Sequence, residues 1–251
     1  MPDFNLPNLE PADEASARAQ KHFLAAAEMY DLLTEVQTGP GGLGDTFVLY
    51  EDHGGYFDTG LPAVAAHLHR GENGTFSLSA TRMPAFALAA AWLVGRGADA
   101  STFTNASDHR GAPADARSAA CTQRLLADPS RYQLSEWGTE PHESWALLHD
   151  GDPAAADRPF LLLLETGSAE RGYVLREGSF ATPQDAQQWL EAREVPLPTV
   201  VAGQVEVHAS PQARAARTRS TTTFAEPNQR RGTGVSPAAQ PAPVPSRRAV
   251  L

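Results

Sequence analysis

Apolar positions follow a helical period at the start of the chain and change to strand-like runs further on. From Asp13 onward, Phe23, Ala26, Ala27, Tyr30, Leu33 and Val36 fall on one stripe, which predicts a long amphipathic helix. Asp13 and Glu14 stand near its start, where acids complement the helix dipole. The stretch TGPGGLG at 38–44 would end it. DTFVLYED (45–52) then reads as a strand carrying Phe47, Val48, Leu49 and Tyr50. A second strand is expected at 63–69, with Pro62 pushing its start toward a sheet edge. A third, at 75–80, alternates Phe76, Leu78 and Ala80. Pro84 opens a helix that runs to Val94 and stops at Gly95-Arg96-Gly97.

Residues 97–118 are small and polar and read as a loop or linker. A short helix follows, ended before Pro129, and RYQLSEWG offers a strand. The earlier pattern then returns. Strands are expected at 144–149, 159–165 and 172–176, and a helix at 183–192. RPFLLLLET is a continuous apolar run of strand length, as a central strand would be. The last helix has Thr182 as N-cap, Pro183 at its first position and Asp185 in its first turn, with Ala186, Trp189 and Leu190 facing inward.

The expectation is an α+β fold: an N-terminal helix, then two small units of three strands and a helix, an internal duplication. Each unit helix begins at a proline and carries Trp-Leu in its second half, Trp92-Leu93 and Trp189-Leu190. One such unit has a very small core, and two packed together bury more surface. The boundaries expected are a leader at 1–12, the first unit at 13–96, the linker at 97–118, the second unit at 119–207 and a tail at 208–251.

Charge changes this picture at the tail. Beyond residue 207, Arg214, Arg217, Arg219, Arg230, Arg231, Arg247 and Arg248 stand against Glu226, a net +6. The whole chain carries −10, so residues 1–207 carry −16. The tail is also proline-rich and cannot bury a core, so it reads as disordered. Arginines in such a segment bind phosphates by counterion release, or an acidic protein surface. Cys121 is the single cysteine, which excludes an intramolecular disulfide. The N-terminus lacks the basic and apolar regions of a signal peptide, and the longest apolar stretch, 83–95, is shorter than a bilayer span of about 20 residues. A soluble cytoplasmic protein is expected, without a membrane partner.

Candidate chemistry is sparse. His67 and His69 share one face of a candidate strand, with Glu72 following and Asp52 and His53 nearby. Imidazole and carboxylate donors so grouped could hold a divalent metal. The H-x-H-x-x-E run is similar to the first motif of cupins, though its gap before the Glu is shorter and no second motif follows. Asp108, His109 and Ser144 supply the residue types of a hydrolytic triad without a G-x-S-x-G elbow. Cys121 reads as a buried thiol. Phe180, Thr182 and Ala186, set before and in the last helix, resemble the F-x-T-x-x-x-A of the arm-type DNA-binding module of tyrosine recombinases. That family implies a basic, polar sheet face; here the sheet offers Leu161 to Leu164, with Arg171 and Arg176 nearby. No dinucleotide or Walker loop occurs, and no cofactor is expected.

Two functions follow as expectations. The first is a non-enzymatic binding or accessory protein, its acidic body contacting a protein partner and its tail arginines contacting nucleic acid. The second is a small metal-dependent enzyme, cupin-like or a hydrolase, using His67, His69 and Glu72. The oligomeric state stays open.

Overall fold

Two sheets, antiparallel but for one short parallel strand pair, stack with helices outside and between them. The computed structural model describes residues 6, 8–39, 44–54, 62–104, 111–140, 142–168 and 172–200. The first sheet has the order β1-β5-β4-β3-β2, from β1 (Glu10–Pro11), β2 (Tyr30–Gln37), β3 (Gly44–Asp52), β4 (Ala63–Arg70) and β5 (Thr75–Met83). The second has the order β6-β7-β8-β9, from β6 (Tyr132–Glu140), β7 (Glu143–Asp150), β8 (Phe160–Ser168) and β9 (Gly172–Phe180). The helices are α1 (Glu14–Ala26), α2 (Phe86–Val94), α3 (Ala100–Thr104), α4 (Ala116–Ala127) and α5 (Pro183–Ala192).

The layers run α1, first sheet, α2 with α4, second sheet, α5. Phe23 of α1 packs on Val48, Tyr50, Val64, Ala66, Leu68, Phe76 and Leu78, the outer face of the first sheet. The inner face of that sheet, with Phe47, Leu49, Ala63 and Ala65, meets α2 in the central core. Cys121, Leu125 and Leu126 of α4 join the same core, as do Ala146, Leu148, Leu161, Leu163 and Leu175 of the second sheet. α5 covers the far side, where Ala186, Trp189 and Leu190 pack with Trp145, Leu147, Leu162, Leu164 and Phe180. α2 is apolar on nearly every side because it lies between two sheets. Four of its residues are buried alanines, Ala87, Ala89, Ala90 and Ala91, in the same core as Ala63 and Ala65 of β4. The Leu161–Leu164 run of β8 alternates between central core and α5, and β8 is an interior strand as its composition predicts.

Several elements differ from the sequence reading. The N-terminal helix ends at Ala26, and Tyr30, Leu33 and Val36 belong to β2. Those positions satisfy a helical stripe, but β2 gains a ladder with β3, broken only by a register shift at Leu33, which propensity does not register. The strand at RYQLSEWG is β6, so the sheets hold five and four strands rather than three each. The leader contributes β1, which pairs parallel with β5. The span 97–118 contains α3 and the start of α4, and Pro113 bridges to Tyr173 beside it. Ala80 is exposed, while Phe76 and Leu78 are buried as expected. The start of α5 is as read: the Thr182 hydroxyl accepts from the Asp185 N–H, and Pro183 sits in the first turn. Among the described residues, no helix is long and apolar enough to cross a membrane.

Candidate functional site

Strand register brings together groups that lie far apart in sequence. On β4, His67 and His69 point to one face, as their spacing requires. Asp45 of β3 is paired directly with His69. Its Oδ1 accepts from His67 Nε2 at 2.8 Å and from His69 Nδ1 at 2.9 Å. Burial works to raise the Asp45 carboxyl, but the hydrogen bonds from His67 and His69 outweigh it and hold it below its ordinary value. An ionised carboxylate only accepts, so His67 carries its proton on Nε2 and His69 on Nδ1. Burial pushes the His67 imidazole below its ordinary value despite the opposing pull of Asp45, which keeps the ring neutral at neutral pH. The ring stacks on Phe47, 4.7 Å between centroids. Glu72 sits in the exposed turn after β4 and, among the described residues, makes no ion pair or hydrogen bond with either histidine. The two ring nitrogens nearest Asp45 are therefore occupied by a hydrogen-bonded bridge, and a metal there would have to displace it.

A second cluster lies on the same face at the other end of β3. Asp31 of β2 is paired with Glu51, and His53 follows two residues on. His53 Nε2 is 3.1 Å from Asp31 Oδ2 and 3.6 Å from Glu51 Oε2. Asp52, between them in sequence, turns to the opposite face and pairs with Arg82 at 2.9 Å.

Across the central layer, Glu165 of β8 reaches the start of α2. Ala85 supplies no side-chain cap to that helix. Instead the Phe86 N–H donates to both Glu165 carboxylate oxygens, at 3.1 and 3.0 Å. A carboxylate suits a helix N-terminus, yet burial, with a further push from Glu51, raises Glu165 to about 8. Ser144, the candidate nucleophile, donates to the Pro84 carbonyl beside the same turn and is buried. Asp108, His109 and Arg171 lie outside the described residues, as do Arg214, Arg217, Arg219, Arg230, Arg231, Arg247 and Arg248.

No family model, curated protein or solved structure matches this chain. Its chemistry has to be read from its own residues.

Cys121 faces the second sheet, where its thiol donates to Glu177 Oε2 at 3.3 Å. Burial, and then the Glu177 charge, pushes the thiol far above its ordinary value. Arg124, one turn on, pairs with the same Glu177 oxygen. A protonated thiol in this setting is no nucleophile. A disulfide-exchange reagent should label native Cys121 at least about 100-fold more slowly than a free thiol, and at the full rate in denaturant. Rapid labelling of the native protein would show an accessible thiolate instead.

Asp45, Asp31 and Glu165 were not singled out in the sequence. Each acts through a partner across a strand pair or across the core, and only knowledge of the register could have pointed to them. Asp45, which register sets opposite His69, is the one a correct β3–β4 pairing would have found.

Proposed function

We propose that this protein is a non-enzymatic accessory protein whose acidic body binds an extended basic segment of a partner protein along the β2 edge. The observation that carries this reading is the composition of that edge. β2 is the last strand of its sheet. Leu24, Met29 and Leu32, at the end of α1 and the start of β2, are large apolar side chains left exposed, Leu32 at 48%. Glu28, Asp31 and Glu35 are exposed acids in the same stretch. An open edge can accept a further strand, with backbone hydrogen bonds supplying affinity and side chains selectivity. The acids disfavour self-pairing and favour a basic occupant. The polar groups that suggest catalysis are engaged structurally: His67 and His69 on Asp45, Ser144 on Pro84, Cys121 on Glu177.

A photo-cross-linking side chain at Leu32 should join the partner in cells, and Glu35→Lys should suppress that product. The same probe at exposed Asp157 should give none. Equal products from both positions, or indifference to Glu35→Lys, would overturn the assignment of the edge.

In this reading the tail adds a second contact, to nucleic acid. Labelled DNA should bind the full chain in a salt-sensitive manner by fluorescence anisotropy. Replacing Arg214, Arg217, Arg219, Arg230, Arg231, Arg247 and Arg248 by alanine should abolish it, since each phosphate contact contributes to the salt slope. Unchanged binding would remove the tail as the contact element.

We also read the two halves as copies of one unit. Helix, four strands and helix follow in the same order twice, α1–β2–β3–β4–β5–α2 and α4–β6–β7–β8–β9–α5. Both first strands carry a register shift at the same place, between Leu32 and Thr34 and between Leu134 and Glu136. Tyr30 pairs with Asp52, whose N–H donates to Pro62; Tyr132 pairs with Asp150, whose N–H donates to Pro159. These coincidences support duplication more strongly than the Trp-Leu pairs do.

A further inference from the structure

We propose that Asp31, Glu51 and His53 form a binding site for one divalent first-row transition metal ion of the Zn2+ class. This inference does not rest on the accessory role, although Asp31 belongs to the β2 edge strand as well. β2 and β3 set Asp31 and Glu51 side by side, and His53 projects from the same face two residues along. One donor atom from each, the imidazole nitrogen and two carboxylate oxygens, lies within 4.8 Å of the other two. Ions of this class sit about 2.0–2.2 Å from nitrogen and oxygen donors, so donors that share one ion stand roughly 3–4 Å apart. The 3.1 and 3.6 Å separations from His53 Nε2 already meet that condition. A nitrogen with two carboxylate oxygens suits Zn2+, Mn2+ or Fe2+ better than Ca2+ or Mg2+, which favour all-oxygen sets.

Burial is graded across the cluster. Glu51 is only 7% exposed and is paired with Ala63 on the inner face, whereas Asp31 and His53 are exposed. The site thus has a fixed inner ligand and an open side through which an ion can enter. Three protein ligands leave at least one position for water or an exogenous group.

The second half of the molecule supplies an internal comparison. Aligning Tyr30 and Asp52 with Tyr132 and Asp150 places Gln133, His149 and Gly151 at the positions of Asp31, Glu51 and His53. The strand pair and its Asp turn form equally well there, with the Gly54 N–H donating to Asp52 and the Asp152 N–H donating to Asp150. The Asp-Glu-His set is therefore not something the scaffold requires. The His67–Asp45–His69 bridge differs in its donors, a single carboxylate between two imidazoles, whereas His53 faces two carboxylates.

The test is titration of the untagged, chelator-stripped full chain with Zn2+ by calorimetry, and with Co2+ by visible absorption. The expected result is one ion per chain, with a Co2+ spectrum indicating nitrogen and oxygen ligation. His53→Ala and Asp31→Asn, both at exposed positions, should each weaken binding at least about 10-fold, while His67→Ala leaves it unchanged. No binding to the parent protein would overturn the proposal. So would binding that survives His53→Ala and Asp31→Asn, or that is lost in His67→Ala, which would move the ion to the Asp45 bridge.

Discussion

The Glu165→Gln protein is expected to be more stable than the parent at pH 9, by up to about 5 kcal/mol, and to differ little from it near pH 4.5. The folded-state carboxyl keeps its proton up to about 8, against an ordinary value of 4.5. Between these values the folded state binds the proton that the unfolded chain has released. Stability from this group is complete below 4.5 and is lost as pH rises through about 8. Glutamine removes the titration but keeps an oxygen for the Phe86 N–H. Glu165→Leu provides the contrast: it also removes the titration but leaves the start of α2 without an acceptor, at a cost of about 1–3 kcal/mol at every pH. Urea denaturation across pH 4.5 to 9 checks both variants. Parallel pH profiles for the parent and Glu165→Gln would show that Glu165 does not titrate in this range.

Arg124→Ala is expected to destabilise the protein by about 3–5 kcal/mol. Arg124 leaves α4 to pair with Glu177 of β9, which is 8% exposed and also accepts from the Cys121 thiol. Removing the arginine strands a largely buried carboxylate between helix and sheet. The double variant Arg124→Leu with Glu177→Leu should recover most of the loss, because an apolar pair needs no compensation there. A double-mutant cycle by urea denaturation measures the coupling directly. A loss below about 1 kcal/mol in Arg124→Ala would mean that Glu177 finds water on that side.

The two experiments address one design feature. The central layer that joins the halves is apolar in bulk, yet it holds Glu165, Glu177, Ser118, Thr122 and Ser144, all buried. Ser118 accepts from the Leu175 N–H, and the Thr122 hydroxyl shares a hydrogen bond with the Tyr173 hydroxyl. Such contacts fix how α2 and α4 sit on the second sheet, since each polar group loses its partner if the layers slide.

Legibility from sequence followed the range of the interaction involved. β8 could be placed as a central strand because four consecutive leucines need cover on both faces, and the start of α5 because Thr182, Pro183 and Asp185 cap it locally. The β2 segment satisfies a helical period through Tyr30, Leu33 and Val36, and only the ladder with β3 decides otherwise. The same holds for chemistry. His67 and His69 were visible as a pair two residues apart, but their partner Asp45 is a strand away. Glu51 and Asp31 show no pattern until register sets them opposite each other.

By itself, then, the sequence determined the α+β class, most helices and strands, and a charge of −16 over residues 1–207 set against +6 beyond them. These depend on local periodicity, capping and charge, which act over a few residues or over none in particular. The tertiary structure decided which strands pair, that α2 and α4 lie between the sheets, that Glu165 caps a helix from the other half, and that Asp31, Glu51 and His53 converge. Those outcomes come from burial and hydrogen bonding between segments tens of residues apart. Their energies appear only once the chain has closed on itself.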